Sequence, residues 1–159
     1  MSKVLDERLN YLGQNLLSGC LLGIGFVAFV DEAVFHQLLH WHHFYDKSTP
    51  DIGLVSDGIF HAFSWFSTVA GLFLVSDLRR RNAWWPKRWF GGFLLGGGGF
   101  NLYDGTVQHK IMRIHQIRYN VKIALYDWVW NILAVLILVV GFIIIFRTSR
   151  ESKTMDGTV

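Results

Sequence analysis

A single cysteine, Cys20, leaves this chain without an internal disulfide or a thiolate cluster for a metal. Other signatures are missing too. There is no Gly-x-Ser-x-Gly elbow, no His-Glu-x-x-His pair and no nucleotide-binding glycine pattern. No polar stretch is long enough to form an extramembrane domain for a soluble substrate, so no catalytic residue is assigned. Charge is scarce: Asp, Glu, Lys and Arg make up 17% of 159 residues, against 52% apolar residues and a mean hydropathy of +0.31. That apolar excess is more than the core of a soluble domain this size needs, so it must face something apolar.

Four stretches are long enough to cross about 30 Å of hydrocarbon at about 1.5 Å per residue. They run near Leu12 to His43, Ile52 to Val75, Trp89 to Arg113 and Ile123 to Phe146. The expectation is one all-α domain over residues 1–159, an integral membrane four-helix bundle with a short cytoplasmic tail over residues 147–159. Between the middle spans lie Arg79, Arg80, Arg81, Lys87 and Arg88 with Trp84 and Trp85. Interfacial aromatics beside cations mark a cytoplasmic turn facing lipid headgroups, and a nucleic-acid reading fails. With four spans, ten of the fifteen Lys/Arg fall on the side of this turn and five on the other. Both termini are therefore expected in the cytoplasm, in a multi-pass protein of a bacterial inner membrane. Leu17-Ser18-Gly19-Cys20 resembles a lipoprotein cleavage box, but Asp6, Glu7, Asn10, Gln14 and Asn15 interrupt the segment before it. The box is rejected, and Cys20 is read as a small packing residue on the first helix.

An internal repeat organises the rest. Leu22-Gly23-Ile24-Gly25 precedes Asp31 at the same offsets as Leu95-Gly96-Gly97-Gly98 precedes Asp104. Each Asp is followed at equal spacings by two histidines, His36 and His42 in one case, His109 and His115 in the other. In the following helices Asp57 and His61 correspond to Asp127 and Asn131. Two tandem two-helix units of like orientation imply a pseudo-two-fold axis along the membrane normal. The glycines fit close helix packing in lipid. A phosphate-cradling role for Gly96 to Gly99 is set aside, because the run lies within an apolar span with no Lys-Ser/Thr after it.

Asp31, Glu32, His36, Asp57, His61, Asp104, His109 and Asp127 all fall within spans, where an unpaired charge costs about 2.5–3.5 kcal/mol on insertion scales. Such groups face a bundle interior and pair with one another, a metal or a transported ion. In a straight α-helix at about 100° per residue, His36 points about 140° away from Asp31. His36 and His109 are therefore expected to form an inner pair, and His42 with His115 an outer pair that gives access from the interface. Asp57 and His61 share a face. His40 and His43 are read as interfacial, like Trp41, Phe44, Tyr45, Tyr119 and Tyr126.

Imidazoles with carboxylates in a bundle bind zinc, copper or iron. The expected metal ligands are His36, His61 and His109, helped by Asp31, Asp57, Asp104 and Asp127, with His42 and His115 outside them. Copper is favoured over zinc and iron. A haem between two facing histidines is the alternative, disfavoured by the nearby carboxylates. The bland reading is that these groups only hydrogen-bond each other and orient the helices.

The segments Asp31-Glu32-Ala33-Val34-Phe35-His36, Asp57-Gly58-Ile59-Phe60-His61 and Asp104-Gly105-Thr106-Val107-Gln108-His109 resemble the bacterial membrane family DUF2243. The resemblance spans roughly Gly13 to Phe146. It implies four spans and these site residues, but no reaction. Glu32 departs from the family pattern, in which Gly follows the first Asp, and adds a buried acid. Metal handling, or an accessory role toward a larger membrane metalloenzyme or respiratory complex, suits such a site better than catalysis. A metal-dependent enzyme and a homo-oligomer both remain compatible, with the lipid bilayer as the first partner.

Overall fold

The computed structural model describes residues 8–156, and every regular element among them is helical. Helix α1 spans Leu12–Val30 and continues as a wider-turned π segment over Asp31–Leu38. Helix α2 spans Pro50–Arg80. Helix α3 spans Pro86–Tyr103 and also continues as a π segment, over Asp104–Met112. Helix α4 spans Ile123–Asp156, running on well past the end of its apolar run at Phe146.

Three helices are long and apolar enough to cross a membrane: Leu12–Leu38, Pro50–Arg80 and Ile123–Thr154. At about 1.5 Å per residue each exceeds the hydrocarbon thickness. Helix α3 with its π segment is of similar length, but its glycine run lowers its hydropathy and it falls outside that set. It packs between α1 and α4, while α2 packs on the other side of α1. Large side chains such as Phe66, Phe73, Trp128 and Phe142 cover the outward faces of α2 and α4. These faces are what the apolar excess is for.

Turn chemistry fixes the ends. The Thr49 hydroxyl accepts from the Ile52 N–H and Pro50 opens α2, a position where its missing N–H costs nothing. At the other end of α2, Asn82 adopts a left-handed φ of 55°. The Ala83 N–H then bonds the Leu78 carbonyl and the Asn82 N–H the Arg79 carbonyl, closing a Schellman cap. Buried Asn15 ties this turn to α1: its Oδ1 accepts from the Trp85 N–H at 2.7 Å and its Nδ2 donates to the Ala83 carbonyl. Arg88 departs from the basic lipid-facing group it was placed in. It is buried, and its guanidinium donates to the Leu12 carbonyl, Ser149 and Thr148, joining the ends of three helices.

Glycines set how closely the helices approach. Gly19 of α1 lies against Gly92 of α3 and Gly23 against Gly97, so that a Cβ on Gly23 would come within 2.8 Å of the Gly97 nitrogen. Gly25 faces Ser64 and Thr68 of α2, and Gly98 faces Ala134, Ile137 and Leu138 of α4. Gly58 is different: no neighbour lies within 4 Å of its would-be Cβ. Gly58→Ala should therefore raise the thermal midpoint, contributing about 0.5–1 kcal/mol by reducing the freedom of the unfolded chain. A lowered midpoint in lipid nanodiscs would contradict that.

Candidate metal centre

Both π segments begin at an aspartate and end in the same way. After Leu38 the Trp41 N–H reaches back to the Phe35 carbonyl, and after Met112 the Ile114 N–H reaches back to the Gln108 carbonyl. His40 and Arg113, neither of them glycine, then take left-handed φ values of 48° and 53°. The chain reverses at each of these residues. Residues 39–49 and 113–122 thus fold over the ends of the helices, joined by the Asp46 N–H donating to the Ile114 carbonyl. Partial burial, then the neighbouring Asp46 carboxylate, push the Tyr119 phenol up to about 12, so it stays protonated here at neutral pH.

These features correct the expected split into inner and outer histidines. With i→i+5 bonding, positions five apart come onto one face, so Asp31 and His36 converge where a straight α-helix would hold them apart. The reversal at His40 then carries His42 back inside, to a His42 Nε2–His36 Nε2 distance of 2.9 Å. His109 and His115 meet in the same way, with ring centroids 4.7 Å apart. The two pairs also touch each other, because the His42 and His115 rings stack at 4.7 Å and 12°. All four rings are buried.

Two triads result, Asp31/His36/His42 and Asp104/His109/His115, each with one potential ligand atom per residue lying within 4.8 Å of the others. Glu32, His36 and Asp57 meet the same criterion. Asp31, Glu32, Asp57 and Asp104 are each at least 97% buried. His36 Nδ1 lies 2.7 Å from Glu32 Oε2 and 3.3 Å from Asp57 Oδ1. Facing two acceptors, that nitrogen carries the ring proton, which leaves the His36 Nε2 lone pair directed toward His42 and Asp31. His115 repeats the arrangement, since its Nδ1–H donates to the Phe44 carbonyl at 2.8 Å. Its Nε2 lone pair then lies 3.4 Å from Asp104 Oδ1. In the first half the His36 and His42 Nε2 atoms, 2.9 Å apart, have one proton or one cation to share between them; in the second, the His115 Nε2 lone pair faces a carboxylate oxygen. Neither His115 Nε2, His109 Nε2 nor Asp104 Oδ1 has a hydrogen-bond partner among the described residues. Acceptors facing one another in this way call for a proton or a metal cation between them.

The remaining expected ligands lie elsewhere. His61 is exposed, one turn along α2 from Asp57, and its ring rests against Phe29 at 6.0 Å. Asp127 is half-buried and paired with Lys110, and Asn131 Nδ2 donates to the Asp127 carbonyl. His43, read as interfacial, instead donates through Nδ1 to Asp57 Oδ2 at 2.6 Å, and the Phe44 N–H donates to the other Asp57 oxygen. Gln37 donates to Glu32. Asp57 and Glu32 thus hold the His36 ring, the role carboxylates take behind a metal-bound imidazole. Glu32 has no counterpart in the second half, where Gly105 lies against Asn131. Nothing in the spacing of His43 pointed to Asp57. Only the chain reversal brings them together.

Apolar helices of spanning length, closed at one end over a buried histidine–carboxylate cluster, define a helical membrane protein with a polar site enclosed by its own loops. The chain belongs to the family DUF2243, described as a predicted membrane protein, whose family model matches residues 18–148. No curated protein and no solved structure matches it.

Proposed function

We propose that this protein holds one or two transition-metal ions at the His36/His42/His109/His115 cluster, with Asp31 and Asp104 as carboxylate ligands, and serves in metal handling or as an accessory to a membrane metalloenzyme. The observation that carries this reading is the convergence of four buried imidazoles on two buried aspartates, with His115 Nε2 and Asp104 Oδ1 facing each other 3.4 Å apart and neither hydrogen-bonded among the described residues. A bound cation resolves that opposition and offsets several buried negative charges at once. The donor set is imidazole and carboxylate without thiolate, which suits copper, zinc or iron. We favour copper, because an outward-facing, His-rich membrane site suits copper handling for respiratory or oxygenase enzymes.

The remainder of the reading is a four-span bundle of two tandem two-helix units. The shift that carries Asp31 onto Asp104 also carries His36, His40 and His42 onto His109, Arg113 and His115. It carries Gly19, Gly23 and Gly25 onto Gly92, Gly96 and Gly98. This correspondence supports a pseudo-two-fold axis passing between the two triads. The Lys/Arg asymmetry supports cytoplasmic termini and a cluster facing the opposite side. A cysteine at position 47 should label from outside and one at position 84 from the cytoplasm; the reverse pattern would sink the orientation.

Elemental analysis after metal-replete growth tests the site. Wild-type protein should carry one or two equivalents and the His36→Ala/His109→Ala variant none. Metal in neither protein refutes the reading. A haem has less support, because His42 and His115 occupy the space between His36 and His109 where a porphyrin would lie. A Soret band in the purified protein would reverse that order.

A further inference from the structure

Beside the cluster, at the lipid-facing cleft between α2 and α3, is a cavity of about 460 Å³. Its walls include Ile24, Phe44, Phe60, Phe63, Phe100 and Gln108. The phenyl rings lie nearly parallel: Phe44 on Phe60 at 4.8 Å and 16°, and Phe60 on Phe100 at 5.9 Å and 17°. Gln108 is the polar exception. It is 94% buried, and its Oε1 has no hydrogen-bond partner among the described residues. No water reaches such a group from hydrocarbon, and leaving it unpaired costs about 1–3 kcal/mol.

A second cavity, of about 470 Å³, lies between the first π segment and α4. Its lining includes Phe35, Ile117, Trp130 and Leu133. The shift from Asp31 to Asp104 carries Phe35 onto Gln108 and Phe44 onto Ile117. The shift from Asp57 to Asp127 carries Phe60 and Phe63 onto Trp130 and Leu133. The two cavities therefore occupy corresponding places, yet only one presents a buried amide. Packing does not require it, since a phenyl ring serves in the other half.

We propose that the Gln108 cavity binds a membrane-dissolved phenol or hydroquinone, its ring against the phenyl wall and its hydroxyl hydrogen-bonded to the Gln108 amide. The hydroxyl donates to the unpaired Oε1, a bond that a methyl ether cannot make. An aromatic ring matches the flat wall, and the volume lies within the range of small-molecule sites. Access is lateral, past the exposed side chains of Ile59, Phe63 and Tyr103. The site adjoins the cluster: Phe60 lies 5.6 Å from the His36 ring, and the Phe44 carbonyl accepts from His115. It does not depend on metal being bound there.

The test uses 4-nonylphenol and its methyl ether, 4-nonylanisole, titrated calorimetrically into protein in lipid nanodiscs, with protein-free nanodiscs subtracted. Wild-type protein should bind one phenol per chain, about tenfold more tightly than the ether, the equivalent of one buried hydrogen bond. Gln108→Leu keeps the volume and should abolish the phenol's advantage while leaving metal content unchanged, which separates this proposal from the metal reading. Ile59→Trp, at the lipid-exposed mouth, should weaken both ligands and decides the matter if Gln108→Leu does not fold. Equal affinity for phenol and ether in wild-type protein overturns the proposal. So does an undiminished preference in Gln108→Leu, or unaltered binding in Ile59→Trp.

Discussion

His42→Ala is expected to remove metal as completely as His36→Ala, with affinity falling by more than the roughly 10–100-fold typical of losing a group behind a ligand. The reason is geometric. His42 Nε2 lies 2.9 Å from His36 Nε2, so an ion held by one nitrogen would have the other within reach as a ligand. The His42 ring also bridges the halves through its stack on His115, so its loss should disturb the second triad. Asp57→Asn, which acts through His36, should cost less, and His61→Ala, exposed against Phe29, nothing. Chelator-competition titrations of the four variants give the ranking directly. Full metal retention in His42→Ala, or loss in His61→Ala, would refute this placement of the ligands.

That ranking inverts part of what the amino-acid order alone suggests, and the cause is local. The repeat made Asp31, His36, His42 and their counterparts readable as one set, because equal spacing survives whatever the helix geometry. Rotation did not survive, because the inference assumed 3.6 residues per turn through segments that are π-helical. Wide-turned helix has no residue signature here. Nor do the reversals at His40 and Arg113, which put non-glycine residues in left-handed conformations that sequence would assign to glycine or asparagine. Asp57 and His61 share a helical face only loosely: the four-residue step leaves about 40° between them, enough to set Asp57 inside and His61 outside. By length and hydropathy α1, α2 and α4 are candidates to cross a membrane, whereas α3, expected to span from Trp89 to Arg113, falls outside that set because its glycine run lowers its hydropathy.

Those glycines carry the second large effect. Gly96→Leu is expected to prevent folding, whereas Gly99→Leu, whose would-be Cβ has only Leu138 Cδ2 at 4.0 Å, should be tolerated. At Gly96 the new Cβ would collide with the Cys20 backbone, and its neighbours include the Cys20 Cα at 2.6 Å. Side chains can change rotamer to relieve overpacking at about 1–3 kcal/mol, but a helix backbone can yield only by moving away as a unit. Parting α1 from α3 has a cost at the far end as well, since both π segments are direct continuations of these helices. The His42–His115 stack joins the loops that follow those segments, so even a partial separation would pull the two triads apart. Folded yield by size exclusion in detergent should collapse for Gly96→Leu and hold for Gly99→Leu. Any Gly96→Ala protein that does fold should bind metal more weakly, although every ligand is intact. Wild-type metal affinity in such protein would show that the α1–α3 crossing does not set the geometry of the cluster.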